Sequence, residues 1–425
     1  MSRAIVIVLD SFGIGALADA TRFGDEGSNT LGHIDQYCHQ NQINFSLPNF
    51  LSLGLGLAFT NVNNQKLYID QPQYQLQKFY SPRQLTTHYN SKNDLNGYNV
   101  FFGAAKELSA GKDTSSGHWE IMCCPVIKDF GYFTDISNSF PQNLLAKIVE
   151  ENKLTGYLGN CHASGTNIIN DLGDKHLQTL KPIFYTSPDS VFQIAAHEEH
   201  FGLDQLYSLC LSTREILEPY NIARVIARPF NGNNGNYQRT KNRRDYSLTP
   251  PMPTVLEVCT NHNGQVVAIG KIDDIFAQQG ITTALKAYGL PDLIKTTVNA
   301  MNNYQQDKTI IMTNLVDFDM VYGHRRDVVG YKTALEWLDQ QLPIILNSMM
   351  PDDLLLFTAD HGCDPTWPGF SHTREHIPII GCLKSNHNSF NNIGIRSSFC
   401  DIGASILQHL NINNTTGFGQ SFLNN

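Results

Sequence analysis

The sequence predicts an α/β protein: a largely parallel sheet flanked by helices, interrupted by a second, smaller α/β domain. Three observations carry that expectation. Short apolar runs rich in Ile, Val and Leu alternate with helical patterns along most of the chain. Several of these runs stop at an acidic residue, where strands of an open sheet face a ligand crevice. From about residue 130 to residue 249 the character changes, with separate strands and helices and a closing stretch rich in Asn, Gly and bases.

Taken in order, the first strand is read at Ile5–Leu9. Its apolar run is too short for a signal-peptide core and ends in an acid. Further outer-domain strands are read at Val266–Ile269, Ile310–Val316 and Leu354–Thr358. Helical spacing recurs in Leu144, Leu145, Ile148 and Val149, in Leu335, Leu338 and Leu342, and in Ile402, Ile406 and Leu410. The middle segment carries strands at Ile183–Thr186 and Val225–Ala227 and is expected to close in a loop, NGNNGNYQRTKNRRD. The expected organisation is residues 1–129 and 250–425 as one domain, with 130–249 inserted into it.

Composition excludes several classes. The chain has 425 residues and a mass of 47.6 kDa, long for a single compact core. Thirty basic against 39 acidic residues leave a net charge of −9, unlike the basic surface that nucleic acid requires. No window approaches the roughly 18 apolar residues of a membrane span. The 9 cysteines are scattered, with one adjacent pair (Cys123, Cys124) and no CxxC. Neither a disulfide framework nor a zinc ribbon is expected, and a reducing cytoplasm is the expected compartment.

Asp10 follows VIVL, Asp319 follows NLVDF, and Asp360 follows LLLFTA. A lone strand-end Asp also serves as a helix cap. Histidine tips the balance: His361 adjoins Asp360, His324 lies five residues after Asp319, and His372 follows in GFSHTREH. Carboxylate and imidazole together suit Mn²⁺, Zn²⁺ or Fe²⁺. Three acids and three histidines suffice for two such ions, the arrangement that clamps a phosphoryl group. Asp317 shares a strand face with Asp319, and spacing alone leaves either as the ligand.

SAGKDTSSGHWEIM reads as a tight loop entering a helix, whose backbone N–H groups favour an anion. A hydroxyl placed there beside a cation is a usable nucleophile, and Thr114, Ser115 and Ser116 all qualify. Without the metal signal the stretch would be a simple capping loop.

VLDSFGIG, GKDTSSGHWE, YTSPDSVFQIAAHEE, RVIARPF, NLVDFDMVYGHRRD and TADHGCDPT…HTREHIP occur in this order. Together they make the chain resemble the prokaryotic-type phosphopentomutases of the alkaline phosphatase superfamily, almost end to end. The resemblance implies an alkaline-phosphatase-like core with an inserted cap. It also implies interconversion of ribose 1-phosphate and ribose 5-phosphate, with the 2-deoxyribose pair as further substrates. The family's phosphorylated Thr falls on Thr114. One metal, typically Mn²⁺, would be held by Asp10, Asp360 and His361, and a second by Asp319, His324 and His372. Substrate contacts map to Ser187, Asp189, Arg224, Ile226, Arg239 and Lys271. His118, Trp119 and Arg325 would support the site.

A sugar bisphosphate such as glucose 1,6-bisphosphate would prime the enzyme. Nucleoside phosphorylases would be its metabolic neighbours, with no stable protein partner expected. Departures from the family pattern are Asn29 for Asp, Pro188 for Ala and Arg244 for His. The rival expectations are a phosphatase or phosphodiesterase of the same superfamily and a cofactor-independent phosphoglycerate mutase, which would carry Ser in place of Thr114. A binding protein without turnover is a third.

Overall fold

A computed structural model describes residues 2–70, 97–187, 190–385 and 388–423. Pro188 and Asp189 therefore lie outside the described residues. The chain divides into two compact units, Met1–Ile127 with Pro250–Asn425, and Lys128–Thr249.

In chain order the first unit contributes β1 (Arg3–Val8) and β2 (Tyr98–Ala105). The inserted unit contributes β3 (Leu158–His162), β4 (Ile183–Thr186), β5 (Val191–His197), β6 (Arg224–Asn233), β7 (Asn236–Arg239) and β8 (Arg244–Ser247). The first unit resumes with β9 (Gln265–Ile269), β10 (Thr283–Leu285), β11 (Thr309–Asn314), β12 (Asp353–Thr358), β13 (Ile377–Lys384) and β14 (Ser389–Arg396).

The first unit's sheet runs β10-β9-β11-β1-β12-β13-β2-β14. β10, β9, β11, β1 and β12 are mutually parallel, and β13 is antiparallel to both its neighbours. β1, β11 and β12 are buried along their whole lengths, as their near-continuous apolar sequences require of central parallel strands. Within β1 the polar residue is Arg3, wholly buried, and it donates from Nε to Asp353 Oδ1 (2.9 Å) and from Nη1 to the Met301 carbonyl (2.6 Å). The register pairs Val8 with Asn314 on one side and with Thr358 on the other. Asp10 and Asp360 therefore leave adjacent strands at the same level, two residues beyond the paired ends.

The inserted unit has its own sheet, β3-β4-β5-β6-β7, with β8 paired to β6. One core is built on Phe140, Leu145, Phe184, Phe192 and Leu206, and a second on Ile168, Ile169, Ile183 and Phe230. The expected closing loop is instead a hairpin followed by a strand. β6 and β7 meet at Asn234 (φ 51°) and Gly235 (φ 78°), two left-handed residues that suit a two-residue hairpin turn. β8 then pairs antiparallel with β6 from Arg244 to Ser247. Polar side chains at a sheet edge gave these strands no apolar alternation to read.

Candidate metal centre

Each acidic ligand candidate stands just beyond a central strand. Asp10 Oδ2 accepts from Asn314 Nδ2 at 2.9 Å, and Asp360 Oδ1 accepts the backbone N–H of Ser11 at 3.0 Å. Asp319 sits in a π-helical turn, Phe318–Gly323, that follows β11. Asp317 is turned away: its Oδ2 accepts the Leu290 N–H at 3.0 Å, at the start of the helix Leu290–Asn303.

The three histidines share one arrangement. Nδ1 of His324 lies 2.6 Å from the Phe370 carbonyl, that of His361 lies 3.1 Å from Gly362 O, and that of His372 lies 3.0 Å from Lys112 O. A carbonyl can only accept, so each Nδ1 carries the proton and each Nε2 presents a lone pair. Those lone pairs converge. His324 Nε2 is 3.1 Å from Asp319 Oδ2 and 3.2 Å from His372 Nε2, while His361 Nε2 is 3.4 Å from Asp10 Oδ1 and 3.3 Å from Asp360 Oδ2. In two groups the donor atoms all lie within 4.8 Å of one another: Asp319, His324 and His372, and Asp10, Asp319 and His361. Asp319 thus faces both groups, and Asp360 borders the second through His361.

The donor set fits divalent cations. Asp10 Oδ1, Asp319 Oδ1 and Asp360 Oδ2 are buried and accept no hydrogen bond, a costly state for carboxylates that a cation relieves. Asp360 Oδ2 lies 3.0 Å from His118 Nδ1, but that nitrogen bonds the Thr114 carbonyl at 2.9 Å. Burial, followed by the charges of Asp360 and Asp319, pushes the Asp10 carboxyl well above its usual range. At Asp319 burial acts upward too, yet His372 and His324 outweigh it and hold the group well below. At Asp360 burial is likewise outweighed, by His361 and His118. Burial lowers His361 to about 4, leaving a neutral imidazole at physiological pH.

The nucleophile loop enters the helix Thr114–Ile121 through a capping box. Asp113 Oδ1 accepts from the N–H groups of Ser115 (3.0 Å) and Ser116 (3.3 Å), so the anion at this helix start is the protein's own carboxylate. Ser116 is buried, and its hydroxyl donates to the Asp113 carbonyl at 2.9 Å. Thr114 Oγ1 lies 3.2 Å from His361 Nε2, at the edge of the six donors.

Lys271 follows β9 and is exposed, close enough to Asp10 to lower its carboxyl pKa. In the inserted unit, Arg224 and Ile226 share a face of β6, and Arg224 Nη1 lies 3.9 Å from Asp245. Arg239 ends β7 with its guanidinium against Gly165, where any Cβ would collide with it. Ser187 follows β4 directly. Asn29 caps the helix Thr30–Gln40 by accepting from Gly32 N–H at 3.0 Å, a role Asn and Asp fill alike. Arg244 stacks on Tyr207, 4.3 Å from its ring centroid. Trp119 is a core residue whose indole donates to the Ile275 carbonyl at 2.9 Å, and Arg325 is exposed.

Sequence reasoning passed over Arg326. Its guanidinium donates to the carbonyls of Gly369 (2.7 Å), Gly323 (3.2 Å), Asp364 (2.9 Å) and Ser371 (2.9 Å). It thereby ties the turn before His324 to the loop before His372. Four carbonyl acceptors cannot be foreseen from an Arg in a polar stretch. The positive φ of Arg326 (57°) is equally invisible.

Parallel strands ending in acids, with imidazoles whose Nε2 atoms converge, define a metal-dependent enzyme. The family model described as the metalloenzyme superfamily matches residues 2–414. A curated phosphopentomutase of Idiomarina loihiensis is 51% identical over 407 residues, 96% of each chain. One of Hahella chejuensis is 51% identical over 436 residues, covering 100% of this chain and 99% of its own. Among solved structures, a Leishmania mexicana phosphoglycerate mutase aligns over 99% of this chain with 10% identity and a TM-score of 0.42. The chain belongs to the phosphopentomutase family.

Proposed function

We infer that this chain is a phosphopentomutase, an isomerase that interconverts ribose 1-phosphate and ribose 5-phosphate, and their 2-deoxy equivalents, through a phosphorylated Thr114. The observation that carries this reading is the 3.2 Å approach of Thr114 Oγ1 to His361 Nε2 within the six-donor cluster. Asp10, Asp360 and His361 would hold one divalent cation and Asp319, His324 and His372 the other, with Mn²⁺ the preferred ion. Bound there, the cations supply charge that offsets what builds up on the transferring phosphoryl oxygens.

Thr114 Oγ1 is the atom that gives and receives phosphate. The P–Oγ1 bond breaks as phosphorus bonds a sugar hydroxyl, whose proton passes to the departing Oγ1, and a 1,5-bisphosphate results. Return of the other phosphoryl group to Oγ1 releases the isomer and restores phospho-Thr114. Glucose 1,6-bisphosphate or a similar donor charges the resting hydroxyl. Ser187, Asp189, Arg224, Ile226, Arg239 and Lys271 are the proposed sugar-phosphate contacts; guanidinium forks suit the phosphate that does not react. The inserted unit is the proposed cap, and shielding phospho-Thr114 from water is what makes a mutase of a potential phosphatase. Cytoplasmic nucleoside catabolism, beside nucleoside phosphorylases, is the proposed setting.

Mass spectrometry after incubation with Mn²⁺ and glucose 1,6-bisphosphate tests the nucleophile. Phosphate is expected on Thr114 and absent from Thr114→Ala; phosphate on Ser115 or Ser116 refutes the assignment. A coupled assay with a nucleoside phosphorylase tests the reaction. Release of inorganic phosphate at a comparable rate would instead mark a phosphatase, and no turnover with intact sugar-phosphate binding would mark a binding protein.

A further inference from the structure

A buried charged network adjoins the nucleophile loop and has no part in the chemistry above. Arg374 is 2% exposed. Its Nη1 donates to Glu107 Oε2 (2.6 Å) and to the Gly111 carbonyl, its Nη2 to the Glu107 carbonyl (3.1 Å). Nε and Nη2 also reach the Asp19 carboxylate at 3.2 and 3.0 Å. The Arg374 backbone N–H donates to Asp25 Oδ2 at 2.9 Å, and the same oxygen accepts from Lys112 Nζ at 2.6 Å. Both cations lie over Phe23, each 5.4 Å from the ring centroid.

These bonds form a circuit. The loop from Glu107 to Gly111 is clasped at both ends by one guanidinium through main-chain carbonyls. Lys112 is held twice, by its ammonium on Asp25 and by its carbonyl, which His372 Nδ1 approaches at 3.0 Å. Two adjoining residues of the nucleophile loop are thus fastened to two residues of the segment bearing a metal-ligand candidate. The planar fork places five N–H donors on carboxylates and carbonyls together, two more than an ammonium has.

We propose that Arg374, together with Asp25, is the positioning unit that fixes Thr114 Oγ1 against His361. Neither residue touches the reacting atoms; both act through Gly111 and Lys112. The proposal rests on Thr114 being the phosphorylated residue. Displacing a reacting atom by about 1 Å costs on the order of 100-fold in rate.

The test is single-turnover phosphorylation by glucose 1,6-bisphosphate in Mn²⁺, read by mass spectrometry, for wild type, Arg374→Lys and Asp25→Asn. Arg374→Lys is expected to slow labelling of Thr114 by about 100-fold. Its KM for ribose 5-phosphate and its Mn²⁺ affinity, titrated without substrate, should stay near wild type. Hydrogen exchange should quicken at residues 108–113 and not across β1, β11 and β12. Labelling at the wild-type rate by Arg374→Lys overturns the proposal, as does a defect confined to KM or tracking loss of Mn²⁺. Asp25→Asn keeps the Arg374 side chain and should show a smaller loss of the same kind. If Arg374→Lys fails to fold, a wild-type rate in Asp25→Asn is the overturning result. Wild-type protein labelled on another residue would sink the Thr114 reading instead.

Discussion

Gly117 lies so close to Asp360 that a Cβ on it would collide with the Asp360 carbonyl oxygen. The helix that begins at Thr114 therefore packs directly on the backbone of a ligand candidate, with no side chain between them. Gly117→Ala forces the helix outward. Overpacking of this kind costs about 1–3 kcal/mol, and the expected loss in kcat exceeds what that destabilisation accounts for. Thermal melts and kcat measured together check this, and full activity in a folded variant refutes it.

Asp317 and Asp319 are two residues apart and do different work. Asp317→Ala removes an acceptor at a helix start, an expected cost of about 0.5–2 kcal/mol, with metal binding kept. Asp319→Ala takes a carboxylate from both donor groups and should abolish tight binding of at least one Mn²⁺. Metal titrations of the two variants decide, and equal losses would contradict the assignment.

Arg326 has no atom among the donors, yet its four carbonyl bonds join the segments that carry His324 and His372. Residues supporting ligands in this way typically contribute 10–100-fold in metal affinity. Arg326→Ala is expected to weaken Mn²⁺ binding within that range while the protein stays folded. Unchanged affinity would show that the loop holds itself.

Asp35 offers a pH test away from the metals. Its Oδ2 and Oδ1 accept the N–H groups of Tyr68 and Ile69, but burial prevails and raises the carboxyl to about 6. A raised folded-state pKa favours the protonated form. The stability this group contributes is complete below its unfolded pKa of about 3.9 and is lost as pH rises through about 6. A shift of about 2 units corresponds to roughly 3 kcal/mol. The Tm difference between wild type and Asp35→Asn should therefore fall as pH rises from 4 to 7. A flat difference across that window contradicts the shift.

Much of the site was legible because its acids end strands whose apolar runs are unmistakable. Asp10, Asp319 and Asp360 announced themselves by where the runs stopped, and the histidines by following them. Asp317 and Asp319 could not be separated, since what parts them is a π-helical turn and a partner 27 residues away in sequence, Leu290. Arg326 and Arg374 were invisible for a related reason. They bind main-chain carbonyls, which every sequence has, so no residue type marks their partners. The hairpin after β6 was missed because edge strands built of Asn, Arg and Gln carry no apolar period.

β1 is hydrogen-bonded between β11 and β12, so Val8 pairs with Asn314 and Thr358. At about 5–20 residues per second, the ribosome reaches Thr358 roughly 20–70 s after Val8. Throughout that interval the apolar segment Ala4–Leu9 has neither of its lasting neighbours, and such a segment is prone to pair with other chains. For those roughly 20–70 s the unpaired apolar strand stays open to other chains, and Asp10 waits as long for Asp360.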